Sequence, residues 1–143
     1  MRVLIIAVLL LGSVVAKAET LTPEMKVSRA QTELELSKAA KALKKDCAFI
    51  PKVKVEWKNF PNKIEEGAVG TFCESVLEAM QTHCKEGAQK KAYIKKNVKR
   101  LICDSKKKNA ATLKRKGNEV RVYVDFEMSN LDAKMKTALL RGL

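Results

Sequence analysis

Val120-Arg121-Val122-Tyr123-Val124-Asp125-Phe126-Glu127-Met128 alternates apolar and polar residues without a break. Successive side chains of an extended backbone point to opposite faces, so this stretch predicts a strand with one buried and one outward face. Just before it, Gly117-Asn118 can accept the positive φ of a tight hairpin turn, which places Ala111, Thr112 and Leu113 on a preceding strand. Val98 to Cys103 reads as a further strand, and Asp104, Ser105, Lys106, Lys107, Lys108 and Asn109 as the loop that turns the chain back. The three strands are expected to form an antiparallel meander.

Upstream, Val53, Val55 and Trp57 alternate with Lys52, Lys54, Glu56 and Lys58 between Pro51 and Pro61, the signature of a fourth, half-buried strand. The remaining segments have helical spacing. Thr22 is a suitable N-cap with Pro23 at the first helical position, and Val27, Ala30, Leu34, Leu36, Ala39, Ala40, Leu43 and Cys47 continue a helix from about 23 to 46 on a drifting apolar face. Phe72, Val76, Leu77, Met80 and Cys84 predict a second helix from about 69 to 84, and Ala88 to Ile94 a short helical turn. At the end, Ser129 with Asp132 forms a capping-box variant ahead of the stripe Leu131, Met135, Ala138 and Leu139. The expected class is α+β: a small antiparallel sheet of about four strands, helices packed on one face, and two disulfides.

Residues 1 to 18 read as a cleavable secretory signal peptide. Arg2 supplies positive charge, Val3 to Val15 is almost unbroken apolar sequence, and Ala16 and Ala18 are the small residues of a cleavage site before Glu19. The apolar run is short of the roughly 20 residues that a membrane-spanning helix needs. The mature protein, 19 to 143, is therefore expected to be one domain without a transmembrane segment, periplasmic or secreted.

Export decides how the cysteines are read. Cys47, Cys73, Cys84 and Cys103 are even in number, and an oxidising compartment favours bridges over free thiols. A structural zinc site is the competing use, but no two of the four are as close in sequence as the pairs that nucleate one. Cys73 and Cys84 lie on one helix, about 16 Å apart along its axis, beyond the about 7 Å that a bridge tolerates between Cα atoms. Two pairings remain. The shorter loop between neighbouring elements favours Cys47 with Cys73 and Cys84 with Cys103 over the crossed arrangement.

Charge carries the functional expectation. The chain has a formal net charge of +13, of which only Arg2 and Lys17 leave with the signal peptide. Between Lys85 and Arg121 there are fourteen Lys and Arg against three acids, Glu86, Asp104 and Glu119, so this stretch holds the charge excess of the mature chain. Lys90, Lys91, Lys95, Lys96, Lys99, Arg100, Lys106, Lys107, Lys108, Lys114, Arg115 and Lys116 are the candidate anion-binding residues. A concentrated positive surface attracts an anionic polymer of the envelope, such as lipopolysaccharide, or extracellular nucleic acid, or an acidic protein. The plain alternative is solvation, with lysines keeping strand edges apart. Sequence-specific nucleic acid is disfavoured, because lysine outnumbers arginine and only Tyr93 and Tyr123 offer stacking surfaces.

Catalysis finds little in the sequence. His83 beside Cys84 could form a nucleophile pair only if Cys84 were a free thiol. Glu65-Glu66 and Asp125 with Glu127 are acidic pairs of the kind that solvated surfaces carry routinely, and no phosphate loop, metal motif or nucleophile elbow is present. Trp57 is expected in the core, with a partner-binding knob in the Trp57 to Ile64 loop as its alternative role. The sequence thus points to an exported binding module that is not an enzyme and needs no cofactor. A periplasmic inhibitor or accessory protein docking on another protein is the second reading, and a hydrolase the third.

Overall fold

The computed structural model describes residues 21–60, 66–105 and 112–124. The expected signal peptide, the lysines at 106, 107 and 108, the extension of the last strand past Val124 and the C-terminal helix lie outside the described residues. The described elements are, in order, α1 (Pro23–Cys47), β1 (Lys52–Val55), a 3-10 turn (Trp57–Asn59), α2 (Glu66–Lys85), α3 (Ala88–Asn97), β2 (Arg100–Ser105), β3 (Thr112–Lys116) and β4 (Glu119–Val124). The fold is of the α+β class, three helices with a four-stranded mixed sheet and two disulfides. No described helix is long and apolar enough to cross a membrane.

α1 starts where its caps dictate. Thr22 Oγ1 accepts the Met25 N–H at 3.2 Å, and Pro23 occupies a position whose N–H has no helical partner to lose. The helix stops at Ala48, which adopts a left-handed φ of 59° and returns its N–H to Lys44 O. Its buried side chains are Thr32, Leu36, Ala40, Leu43 and Cys47, a single stripe at spacings of three and four. Val27 and Leu34, expected on that stripe, lie off it and are 70 % and 50 % exposed.

α1 and α2 run in the same direction. Thr32 touches Gly70 near their starts, Asp46 accepts from Gln81 Nε2 at 2.5 Å near their ends, and Cys47 is bonded to Cys84. β1 brings the chain back between them. At the Thr32 contact a Cβ on Gly70 would lie 3.1 Å from the threonine methyl, so the two helices meet there with little room to spare. Gly70→Val is expected to lower stability by about 1–3 kcal/mol through overpacking, read as a drop in urea midpoint at unchanged slope.

The sheet order is β1-β2-β4-β3. β1 and β2 are parallel, β2 and β4 are parallel, and only β3 and β4 are antiparallel. The expected three-stranded meander is corrected by this order, since β4 inserts between β2 and β3. Burial explains the exchange. β4 presents fully buried Val120 and Val122 to the core, whereas β3 carries exposed Lys114, Arg115 and Lys116 and takes the edge, where lysines are solvated and discourage further pairing. β2 is buried on both faces through Leu101, Ile102, Cys103 and Asp104, as a parallel strand in a sheet interior should be. Asp104, expected in a loop, is therefore part of this strand. The hairpin at Gly117-Asn118 forms as expected, with Gly117 at φ 58°.

The inner face of the sheet, with Val55, Leu101, Cys103, Val120 and Val122, packs on Phe72, Val76, Leu77 and Met80 of α2 and on the α1 stripe. Ile94 and Val98 close one side of this core. Trp57 is only partly buried: its indole N–H donates to Glu33 at 2.7 Å, Arg29 stacks 5.0 Å from its ring, and the neighbouring Phe60 is the aromatic that reaches the core.

The four cysteines are oxidised in the crossed arrangement, Cys47 with Cys84 and Cys73 with Cys103. The favoured pairing, Cys47 with Cys73 and Cys84 with Cys103, is thereby corrected. Parallel packing brings the last turns of α1 and α2 side by side, with 5.1 Å between the Cα atoms of Cys47 and Cys84. Cys73, about three turns earlier on α2, faces the sheet instead and meets Cys103 at 6.2 Å. One bridge clamps helix to helix and the other helix to sheet.

Candidate anion-binding surface

The basic stretch folds into three pieces that meet at one end of the sheet. α3 contains no acidic residue and places Lys95 and Lys96 in its last turn, where cations also oppose the negative end of the helix dipole. Its final N–H bond, from Val98 to Ile94 O, delivers the chain straight to Lys99 and Arg100. These two donate their backbone N–H groups to Asn118 O at 2.8 and 3.1 Å, tying the start of β2 to the tip of the β3–β4 hairpin. Lys116 lies just before that tip. Arg115 reaches back from β3 to α3, where its guanidinium donates to the Tyr93 hydroxyl and sits 5.6 Å from the centre of the ring.

Lys95, Lys96, Lys99, Arg100, Arg115 and Lys116 are exposed and come from α3, the start of β2 and β3; Arg100 and Lys116 flank Glu119 on the outer face of the sheet, and Arg115 turns to the opposite face toward α3. Among the described residues, the carboxylate set against them is Glu119, 3.4 Å from Arg100 and 3.1 Å from Arg121. An ion pair as exposed as Arg100 with Glu119 contributes at most about 1 kcal/mol and leaves the arginine free to exchange partners.

The other expected residues are placed differently. Lys90 sits in the first turn of α3 and pairs with Glu86, whose carboxyl is held below its usual range chiefly by that hydrogen bond. Lys91 is half-buried on the same turn. Lys114 is exposed on β3 and lies opposite Arg121 in the ladder, on the outer face of the sheet. Lys106, Lys107 and Lys108 are outside the described residues.

Arg121, counted with the charge excess, belongs to the structure of the sheet. Its guanidinium spans Asp104 at 2.6 Å and Glu119 at 3.1 Å, and Asp104 also accepts from Asn59 Nδ2 at 2.7 Å and from the Ser105 N–H at 2.8 Å. Sequence reasoning missed this cluster. The available signal was an acid directly following the apolar run Leu101-Ile102-Cys103, two residues from Ile102 and so on the same face if the strand continues.

The sulfur of Cys84 is bonded to Cys47, so His83 has no thiolate beside it to activate. The imidazole is largely buried on α2 with Nδ1 3.1 Å from Oε2 of Glu86, the residue just past the end of that helix. Glu65, Asp125 and Glu127 lie outside the described residues. Among the described residues no group of three or more His, Cys, Asp and Glu is arranged to hold a metal ion.

No protein-family model, curated protein or solved structure matches this chain.

Proposed function

We propose that this protein is an exported, non-enzymatic binding module whose basic end holds an anionic polymer of the cell envelope. The observation that carries the reading is that six exposed cationic residues from three elements lie at one end of the sheet, with Glu119 as the neighbouring acid. A field of this kind acts over about 8 Å at physiological salt and asks for no fixed spacing of ligand charges, which suits a flexible polyanion. The disulfides support the oxidising compartment that the signal peptide implies. Nucleic acid fits less well, because the Tyr93 ring is already stacked by Arg115 and offers its hydroxyl to the same side chain.

Immobilised heparin and lipopolysaccharide vesicles are suitable probes. The variant Lys95→Gln, Lys96→Gln, Lys99→Gln, Arg100→Gln is expected to elute from heparin at markedly lower salt and to lose at least tenfold in vesicle affinity. A control that removes the same charge from α1, Lys26→Gln, Lys38→Gln, Lys44→Gln, Lys45→Gln, should retain most of the binding. Equal losses in both variants would mean that net charge alone is being read, and no loss in the first would dispose of the basic end as the site.

A further inference from the structure

Among the described residues β1 is an outer strand, paired with β2 along one side only. Lys52 and Glu56 donate their N–H groups to Lys99 O and Cys103 O, at 3.0 and 2.9 Å. Main-chain groups alternate sides along a strand, so the N–H and C=O groups of Val53 and Val55 point the other way, toward the unpaired side. That side opens on a groove of about 520 Å³ between β1 and α1. Its floor is apolar, from Leu36 and Ala40 on the helix and Val53 and Val55 on the strand, with the exposed Ser37 on its helical wall.

The charges lining the groove are net positive. Lys41, Lys52 and Lys54 line it with one acid, Glu33, which accepts from the Trp57 indole; Lys54 is paired with Glu56 at 2.7 Å, so Lys41 and Lys52 are the cations offered to a ligand. We propose that this groove takes an extended, acidic segment of a partner protein, which adds to β1 as a fifth strand. Main-chain bonds to Val53 and Val55 would supply register, as in other cases of strand addition to a sheet edge. Alternate side chains of the segment fall on the two faces of the sheet: one set enters over Leu36 and Ala40 and should be apolar, and the other passes Lys52 and should place an acid there. A second copy of β1 fits poorly, because pairing two such strands sets lysines against lysines. The groove adjoins the basic end at Lys52, which faces Arg100 in the ladder, but its apolar floor belongs to α1 and β1, so peptide binding and polyanion binding can fail independently.

The test is a titration of the oxidised full-length mature protein, followed by amide chemical shifts. The probe is the synthetic peptide acetyl-Gly-Glu-Val-Glu-Val-Glu-Gly-amide, with its lysine-for-glutamate counterpart as control. The acidic peptide is expected to shift the amides of Ser37, Val53 and Val55, and the basic one to leave them in place. Ser37→Trp fills the groove from an exposed helical position and should weaken binding at least tenfold at unchanged melting temperature. Val53→Pro should also weaken binding at least tenfold, since it removes a donor from the unpaired side and none from the ladder to β2; Val53 also packs on the core, so this variant is titrated well below its own melting temperature. The proposal is overturned by the absence of shifts at millimolar peptide, or by shifts confined to Lys99, Arg100 and the hairpin tip, which would make the peptide a mere polyanion. Concentration-dependent shifts at Val53 and Val55 without peptide would assign the groove to a second copy and overturn it as well.

Discussion

Proteolysis of the oxidised protein without reductant is expected to release one peptide pair containing Cys47 and Cys84 and another containing Cys73 and Cys103. The prediction follows from the helix directions. Parallel α1 and α2 place Cys47 beside Cys84 in their final turns, and the about 16 Å of helix between Cys84 and Cys73 carries the second sulfur down to β2. The loops closed are long, with separations of 37 and 30 residues. Loop-closure entropy then assigns each bridge a stabilisation of about 3–4 kcal/mol. Stabilities of small domains are about 5–15 kcal/mol, so replacing either pair by alanine should remove a large share of the total, and reducing both should unfold most of the population at 37 °C. Urea denaturation with and without reductant measures it. Recovery of Cys47 with Cys73 would contradict the parallel packing of α1 and α2 and with it the core described above.

Asp104→Ala is expected to cost about 1–3 kcal/mol, because it removes a buried carboxylate and its charge-assisted bonds from Arg121 and Asn59, of which Arg121 keeps Glu119 as a partner. Asp104 is 3 % exposed. Burial pushes its carboxyl up, but the hydrogen bonds from Asn59, Arg121 and the Ser105 N–H, with the charge of Arg121, outweigh burial and hold it below the ordinary carboxylate range. A carboxyl more acidic in the folded than in the unfolded state binds fewer protons when folded. Its contribution is therefore complete above the unfolded value of about 4 and is lost as pH falls through the folded one. The gap in stability between wild type and Asp104→Ala should accordingly be widest near neutral pH and shrink from about pH 4 downward. Urea midpoints at neutral and acid pH decide the matter, and a gap that stays constant would show that Asp104 contributes no linked proton.

Much of the secondary structure could be read locally because each signal was local. Thr22-Pro23 sets the start of α1 through its own cap, Gly117-Asn118 sets the β3–β4 hairpin through a φ that Gly117 accepts, and the alternation around Val53 and Val120 marks two strands. The concentration of lysine between Lys85 and Arg121 was equally plain. What the sequence could not convey was which of those cations share a surface. Lys95 and Lys116 are twenty-one positions apart, and they share one end of the sheet because Asn118 accepts from Lys99 and Arg100. Lys90, by contrast, is in the same run and is occupied by Glu86. Asp104 was hidden for a similar reason, since its partners Asn59 and Arg121 come from a 3-10 turn and a strand distant in sequence.

The amino-acid sequence by itself determined the α+β class, the half-buried strands, the ends of α1 and the pairing of every cysteine with another, because periodicity, caps and composition act within a few residues. The tertiary structure decided the strand order, the partners of the cysteines and the grouping of the basic side chains. Those depend on which faces bury most when distant elements meet: β4 outcompeted the lysine-bearing β3 for the place beside β2, and α1 aligned parallel to α2 along the stripe from Thr32 to Cys47. Burial is a property of the assembled layers, and no single segment contains it.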